Sequence, residues 1–105
     1  MCSTETQFEK QILELTESTL NAYLTRFQAL GLHAESPKLT RHVNRGKYYQ
    51  SEIVVDIYSE SGLEDVIEFC IWKSGKPYAN HHQIKSWLHD TLETLLQSRE
   101  GLQRS

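Results

Sequence analysis

The first thirty residues carry apolar side chains at the spacing of an amphipathic α-helix. Together they cover about half of the circumference at ~100° per residue. They are Phe8, Ile12, Leu13, Leu15, Leu20, Tyr23, Leu24, Phe27 and Leu30. Thr4 with Gln7 is typical of a capping box, and Gly31 before Leu32 is typical of a Schellman ending. The pattern predicts a helix over residues 4–30 with an apolar face wide enough to contact two surfaces.

After Pro37 the apolar period changes to the two-residue alternation of strands. It predicts strands over about 39–43, 47–58 and 64–73, joined by turns at Asn44-Arg45-Gly46 and Ser61-Gly62. One face of this sheet carries the core residues Tyr49, Ile53, Val55, Ile57, Ile67, Phe69 and Ile71. The outer face carries Tyr48, Gln50, Glu52, Val54, Asp56, Tyr58, Val66, Glu68, Cys70 and Trp72.

The register of the second hairpin is predicted by keeping apolar residues on one face. The expected pairs are Ile57 with Ile67, Val55 with Phe69 and Ile53 with Ile71. A slip by one residue would mix the two faces and is disfavoured. In this register Asp56 lies directly opposite Glu68, which costs a few tenths of a kcal/mol unless water, a base or a partner compensates.

A second helix is predicted over about 81–97, with Asn80 as N-cap and Gln83 three residues later. Its apolar stripe consists of Ile84, Trp87, Leu88, Thr91, Leu92, Leu95 and Leu96. Residues 98–105 are polar and are expected to form a frayed tail. The order α-β-β-β-α predicts one α+β domain over residues 1–105: a three-stranded antiparallel β-meander with two flanking α-helices on one face.

The chain of 105 residues has 14 acidic and 11 basic side chains and a formal net charge of −3. This balance disfavours a generally basic nucleic-acid binder. No apolar run approaches the roughly 18 residues of a membrane helix, and the N-terminus lacks a signal-peptide core. Cys2 and Cys70 are too few for a disulfide framework. We therefore expect a cytoplasmic protein without a membrane partner.

Charge is segregated along the chain, with bases but no acids in 37–51 and 69–89 and the reverse in 52–68. The meander places both basic stretches and the start of the last helix at one end of the sheet, a predicted basic pole. Free helix N–H groups add partial positive charge there. The candidate anion-binding residues are Arg41, Arg45, Lys47, Lys73, Lys76, His81, His82 and Lys85. The simpler interpretation is a set of solvated loops.

The outer sheet face is more apolar than a sheet face in water usually is. Its candidate partner-binding residues are Tyr48, Val54, Asp56, Tyr58, Glu68 and Trp72, with Tyr58 and Trp72 as aromatic anchors. A second copy in a sheet-to-sheet homodimer or another protein would cover this face. The alternative is that the last helix or the tail covers it.

Candidate chemistry is sparse. His82, His89 and Glu93 share one predicted helix face, but no HExxH or CxxC spacing is present, so we assign no metal and no cofactor. Cys70 lies mid-strand, where thiols are usually inert. We assign no catalytic residue. Arg26 lies within the apolar arc of the first helix and is expected to snorkel, with pairing to a sheet carboxylate as the alternative.

The element order resembles that of double-stranded RNA-binding domains, whose first hairpin turn and second-helix start contact RNA. Both places belong to the basic pole here. The resemblance covers element order alone, since Asn44-Arg45-Gly46-Lys47 stands where the family has Gly-Pro-x-His. The sequence therefore predicts a non-catalytic protein-interaction module, self-associating or of inhibitor, immunity or adaptor type. An anion- or RNA-binding module is the alternative.

Overall fold

Helices cover one face of an antiparallel sheet that curls into a half-barrel. The computed structural model describes residues 7–44, 48–73 and 76–104, and the side chains at 43, 44, 48, 49 and 102–104 lie outside this description. Its elements are α1 (Gln7–Ala22), α2 (Leu24–Ala29), β1 (His33–Ala34), β2 (Lys38–Asn44), β3 (Tyr48–Ser59), β4 (Gly62–Lys73), β5 (Lys76–Pro77) and α3 (His81–Arg104). The predicted α+β class, with helices flanking an antiparallel sheet, is confirmed.

The sheet has five strands in the described residues, so the prediction of three strands is wrong. Strand β3 lies between β4 on one side and both β1 and β2 on the other, and β5 pairs with the far edge of β4. The two additional strands, β1 and β5, are two residues long each. A segment that short carries no alternation for a sequence pattern to detect.

The first predicted helix is interrupted at Tyr23, which separates α1 from α2. Thr16 and Thr19 each donate a hydroxyl hydrogen bond of 2.7 Å to the carbonyl four residues earlier, and Ser18 donates to the carbonyl of Leu15. Such bonds compete with the helical ladder and bend helices. The Tyr23 N–H then bonds Leu20 in the tighter i→i−3 pattern. The interruption follows this polar segment directly.

The end of α2 is a Schellman motif. The Leu32 N–H donates to the Phe27 carbonyl at 2.8 Å, and the Gly31 N–H donates to the Gln28 carbonyl at 3.0 Å. Gly31 has φ 72°, which only glycine adopts without strain. Leu32 is buried as the motif requires, so the predicted ending is present.

The core lies between β3, β4 and the helices. Ile53, Val55 and Ile57 of β3 are fully buried. Helix α3 contributes the buried stripe Ile84, Leu88, Leu92 and Leu96, and the preceding helices contribute Ile12, Leu20 and Phe27. Ser51 of β3 contacts Glu9 of α1, whereas Phe69 of β4 packs on Trp87 of α3. Both long helices therefore lie on the inner face of the sheet.

The predicted β3–β4 register is wrong by two residues, although both faces are as predicted. Val55 pairs with Ile67 and Ile53 with Phe69. Ser59 and Gly62 close a tight turn, and Gly62 has φ 119°. An irregularity between Ile57 and Tyr58 then shifts the pairing. A two-residue shift preserves the alternation of faces, so the pattern could not exclude it. Asp56 consequently lies opposite Val66, and Val54 lies opposite Glu68.

A second irregularity moves Trp72 from the outer face to the helix side of the sheet. Glu52 pairs with Cys70, but Ser51 pairs with Trp72, so Ile71 is the additional residue of a bulge. The Trp72 ring lies 6.1 Å from the ring of Phe8 in α1. The prediction that Trp72 lies on the outer face is therefore wrong.

Helix α3 continues to Arg104, so the predicted frayed tail is wrong for residues 98–104. The guanidinium of Arg99 lies 3.1 Å from the carboxylate of Glu64 in β4. Arg26 of α2 donates two hydrogen bonds to Glu100, at 2.9 and 3.1 Å, and one to Glu93 at 2.8 Å. These contacts hold the polar end of α3 after its apolar stripe has ended.

Arg26 does not snorkel into water, and its partners are helix carboxylates rather than a sheet carboxylate. The Tyr23 hydroxyl lies 2.9 Å from Nδ1 of His89 in the same contact between α2 and α3. The face of α3 that carries His89 and Glu93 is therefore partly covered by Tyr23 and Arg26. The Arg26 guanidinium holds the pKa of the Glu93 carboxyl below its ordinary value.

Glu9 joins α1 to the sheet and is fully buried. Its carboxylate accepts a 2.7 Å hydrogen bond from Arg41 of β2 and one from the hydroxyl of Ser51 in β3. A buried carboxylate is tolerated only when paired and hydrogen-bonded. These contacts therefore hold the first turn of α1 at one position on the sheet.

We predict that Glu9→Ala lowers the free energy of unfolding by about 3 kcal/mol, because it leaves the Arg41 charge without its buried carboxylate partner. Urea denaturation measures the change. Glu14→Ala, at an exposed position of the same helix, is the control and is expected to stay within about 0.5 kcal/mol of the wild type. Equal stability of both variants would contradict the assignment of Glu9 as the buried ion-pair partner of Arg41.

Acid should weaken the contact between α2 and α3. Because the pKa of Glu93 is depressed in the folded state, its ion pair stabilises fully above about 4.5, the ordinary value, and is lost as the pH falls through the folded-state value. We predict that the unfolding free energy of Glu93→Gln declines less steeply below this pH than that of the wild type. Urea titrations at successive pH values measure both slopes. Glu17→Gln, exposed on α1, is the control for loss of one carboxylate. A slope in Glu93→Gln as steep as that of the wild type would refute the prediction.

Candidate functional site

Strand β4 is at the edge of the sheet for most of its length. One side pairs with β3 throughout, but on the other side β5 pairs only with Trp72 and Lys73. From Gly62 to Ile71 that side has no neighbouring strand in the part of the chain that the structure describes. An edge of this kind presents backbone groups that can pair with another strand.

The backbone direction along this edge follows from one hydrogen bond. The Val66 N–H donates to Oδ1 of its neighbour Asp65 at 2.8 Å and so points away from β3. In an antiparallel pair, successive residues direct their N–H and C=O groups to opposite sides. Glu68 and Cys70 therefore direct theirs to the same edge as Val66.

Helix α3 runs beside this edge and leaves two clefts that meet at Trp87, of about 530 and 410 Å³. We call both clefts together the edge groove. The larger cleft lies between Val66, Ile67 and Leu95, and the smaller one between Phe69, Tyr78 and Ile84.

The edge groove is rich in exposed apolar side chains. Val66 is 41%, Trp87 42% and Tyr78 62% exposed. The Trp87 ring centroid lies 5.1 Å from that of Phe69, so the indole is supported on one side and open on the other. Supported, exposed aromatic rings of this kind are typical anchors of protein interfaces.

The charged side chains that line the groove are acidic, and one of them, Asp65, lies 3.9 Å from the Arg99 guanidinium. Asp65, Glu68 and Asp90 line the larger cleft, and neither cleft is lined by a lysine or arginine in the part of the chain that the structure describes. The smaller cleft has no charged lining residue there. The groove therefore combines an acidic half with a neutral, apolar half.

The predicted partner-binding residues are only partly brought together. Val54, Asp56 and Tyr58 are half-buried on the outer face, and Glu68 is exposed beside them. The side chain of Tyr48 lies outside the described residues, and Trp72 is on the inner side. The sequence pattern did not predict the edge groove, because it placed Trp87 on the apolar stripe of the last helix.

The predicted anion-binding residues are also divided. Arg41 is bound to Glu9, and Arg45 and Lys47 lie outside the described residues. Lys73 and Lys76 pair across β4 and β5, and His81 packs edge-on against Phe8 with 5.2 Å between ring centroids. The remaining two residues, His82 and Lys85, are exposed on the first turns of α3.

The start of α3 carries the predicted cap. The Gln83 N–H donates to Oδ1 of Asn80 at 2.8 Å, and the Asn80 N–H donates to Oε1 of Gln83 at 3.0 Å. This reciprocal capping box occupies part of the donor capacity on which the predicted anion site depends.

Burial raises the pKa of the Cys70 thiol. Its Sγ lies 3.6 Å from the Trp72 carbonyl oxygen. No group of three metal-ligating side chains is found in residues 7–44, 48–73 and 76–104. Within the same residues, no helix has the length and apolarity needed to cross a membrane.

Comparison of the chain with protein-family models, curated proteins and solved structures found no match.

The two tryptophans should differ in their effect on stability, because Trp72 packs against α1 whereas Trp87 overhangs the groove. We predict that Trp72→Ala lowers the free energy of unfolding by about 2 to 3 kcal/mol and that Trp87→Ala lowers it by about 1 kcal/mol or less. Guanidinium denaturation measures both. The reverse order would show that Trp72 is not the residue that packs inside.

Proposed function

We propose that the chain is a non-catalytic protein-interaction module and that the edge groove is its contact surface. The observation that carries the proposal is the position of exposed Trp87, Val66 and Tyr78 beside a stretch of β4 that has no second strand partner among the described residues. Apolar anchors supply affinity, and a free strand edge supplies directional backbone hydrogen bonds.

The groove adjoins the outer face, for which the sequence pattern predicts a protein partner. The side chains of Val66, Glu68 and Cys70 belong to that face, while their backbone groups belong to the edge. A protein seated in the groove would therefore extend naturally over Val54 and Tyr58. Self-association through the outer face stays a prediction.

The alternative of an anion- or RNA-binding module has less support. Of its candidate residues, Lys73, Lys76, His82 and Lys85 are exposed in the part of the chain that the structure describes, whereas His81 packs against Phe8. Their negative counterparts, Asp65, Glu68 and Asp90, line the groove and repel a polyanion that approaches along β4. We therefore favour a protein partner.

A display library of random peptides tests this function, because selection from it needs no candidate partner. We expect selection on the wild-type chain to enrich peptides that bind Trp87→Ser at least about tenfold more weakly, because an interface anchor contributes more than about 1.4 kcal/mol. Leu24→Ser is the matched control, since Leu24 is 47% exposed on α2, away from the groove.

Peptides that bind Leu24→Ser as tightly as the wild type but bind Trp87→Ser more weakly would support the proposal. Enriched peptides that bind Trp87→Ser as well as the wild type would refute it, as would a selection that enriches none. Circular dichroism of both variants establishes that they are folded.

A further inference from the structure

We propose that the edge groove binds one extended, basic segment of a partner protein, which joins the sheet as an additional strand beside β4. This inference rests on the proposed function and names the partner's chemistry. The segment alternates lysine or arginine with apolar residues.

The backbone of β4 has the hydrogen-bonding groups that an added strand needs. The edge-directed groups of Val66, Glu68 and Cys70 recur at every second residue, which is the spacing that an added strand needs. The free stretch from Asp65 to Cys70 is about 20 Å long at ~3.3 Å per residue. A segment of about six residues therefore fills it.

Strand β5 shows that this edge already accepts a strand. Lys76 and Pro77 pair with Lys73 and Trp72, and the Tyr78 N–H donates to the Ile71 carbonyl at 2.9 Å. After Tyr78 the chain leaves the edge to begin α3. The proposed segment pairs with β4 from Cys70 back to Asp65, beyond the point where β5 stops.

The two clefts determine which side chains suit the segment. Side chains of an added strand alternate, and those that point inward enter the gap between β4 and α3. Both clefts have apolar walls, with Ile67 and Leu95 in the larger one and Phe69 and Ile84 in the smaller, so the inward residues of the segment are apolar. The residues that alternate with them point to the outer face, where Glu68 is exposed, and suit lysine or arginine.

Glu68 also argues against a second copy of this chain as the occupant. An antiparallel pair of β4 strands centred on Glu68 places that residue opposite itself. Like charges directly opposed across strands are destabilising. A basic partner meets the opposite sign at Glu68.

Synthetic peptides test the proposal with the full chain. The probe is the acetylated, amidated heptapeptide KVKFKVK, compared with EVEFEVE and with KVKFKVK that carries N-methyl groups on alternate amides. Calorimetric titration measures the affinity, and amide hydrogen exchange shows whether the backbone N–H groups of the β4 edge become protected. We expect only the unmodified basic peptide to bind and to protect the N–H groups of Glu68 and Cys70.

Variants of the chain test the charge argument. Glu68→Gln with Asp90→Asn should weaken binding of KVKFKVK by about twofold to fivefold for each charge removed. Glu14→Gln with Glu17→Gln removes two exposed carboxylates from α1 and should leave the affinity unchanged. An equal loss in both double variants would indicate attraction to net charge and would overturn the proposal.

Other outcomes separate this proposal from the proposed function. Equal binding of EVEFEVE or of the N-methylated peptide, or no binding of KVKFKVK, overturns the basic-strand inference. If displayed peptides still depend on Trp87 in that case, the interaction function stands with a different partner chemistry. If none depends on Trp87, both proposals fail.

Discussion

Both long helices of this protein, α1 and α3, pack on a single face of the sheet, and the exposed features follow from that constraint. Strand β3 is enclosed by neighbours on both sides, and its inward residues Ile53, Val55 and Ile57 are fully buried. Within residues 7–44, 48–73 and 76–104, strand β4 has a partner strand along only one side for most of its length. Helix α3 must shield the other side, and its buried stripe points to the sheet. Trp87 is left overhanging the border between helix and strand.

The sequence contained enough information to predict the faces of the sheet but not its register. Alternation assigns Val55 and Ile67 to one face whatever the pairing, and a shift of two residues leaves that assignment intact. Two irregularities in the β3–β4 pair set the register instead. The one at Ile71 also moved Trp72 to the inner side, because one additional residue reverses the alternation beyond it. A bulge has no dependable signature in a single sequence.

Polar contacts between distant segments were harder to predict than the core. Arg26 and Glu100 are 74 residues apart, and hydrophobic periodicity does not indicate which charged residues meet. Glu9 did carry a signal, since it lies three residues before Ile12 and seven before Thr16 on the buried side of α1. The edge groove was missed for a related reason. Periodicity places Trp87 on the apolar stripe of α3 but does not show where that stripe extends past the sheet.

The contacts of Arg26 and Tyr23 with α3 have a consequence for how the chain folds during synthesis. The β3–β4 hairpin joins residues close in sequence and can form early, whereas the Arg26 partners Glu93 and Glu100 follow 67 and 74 residues later in the chain. Until then α1 has only the sheet to pack against, through Glu9 and Phe8. The nascent chain can therefore seat α1 on the sheet before α3 is made, and the contact between α2 and α3 closes the fold afterwards.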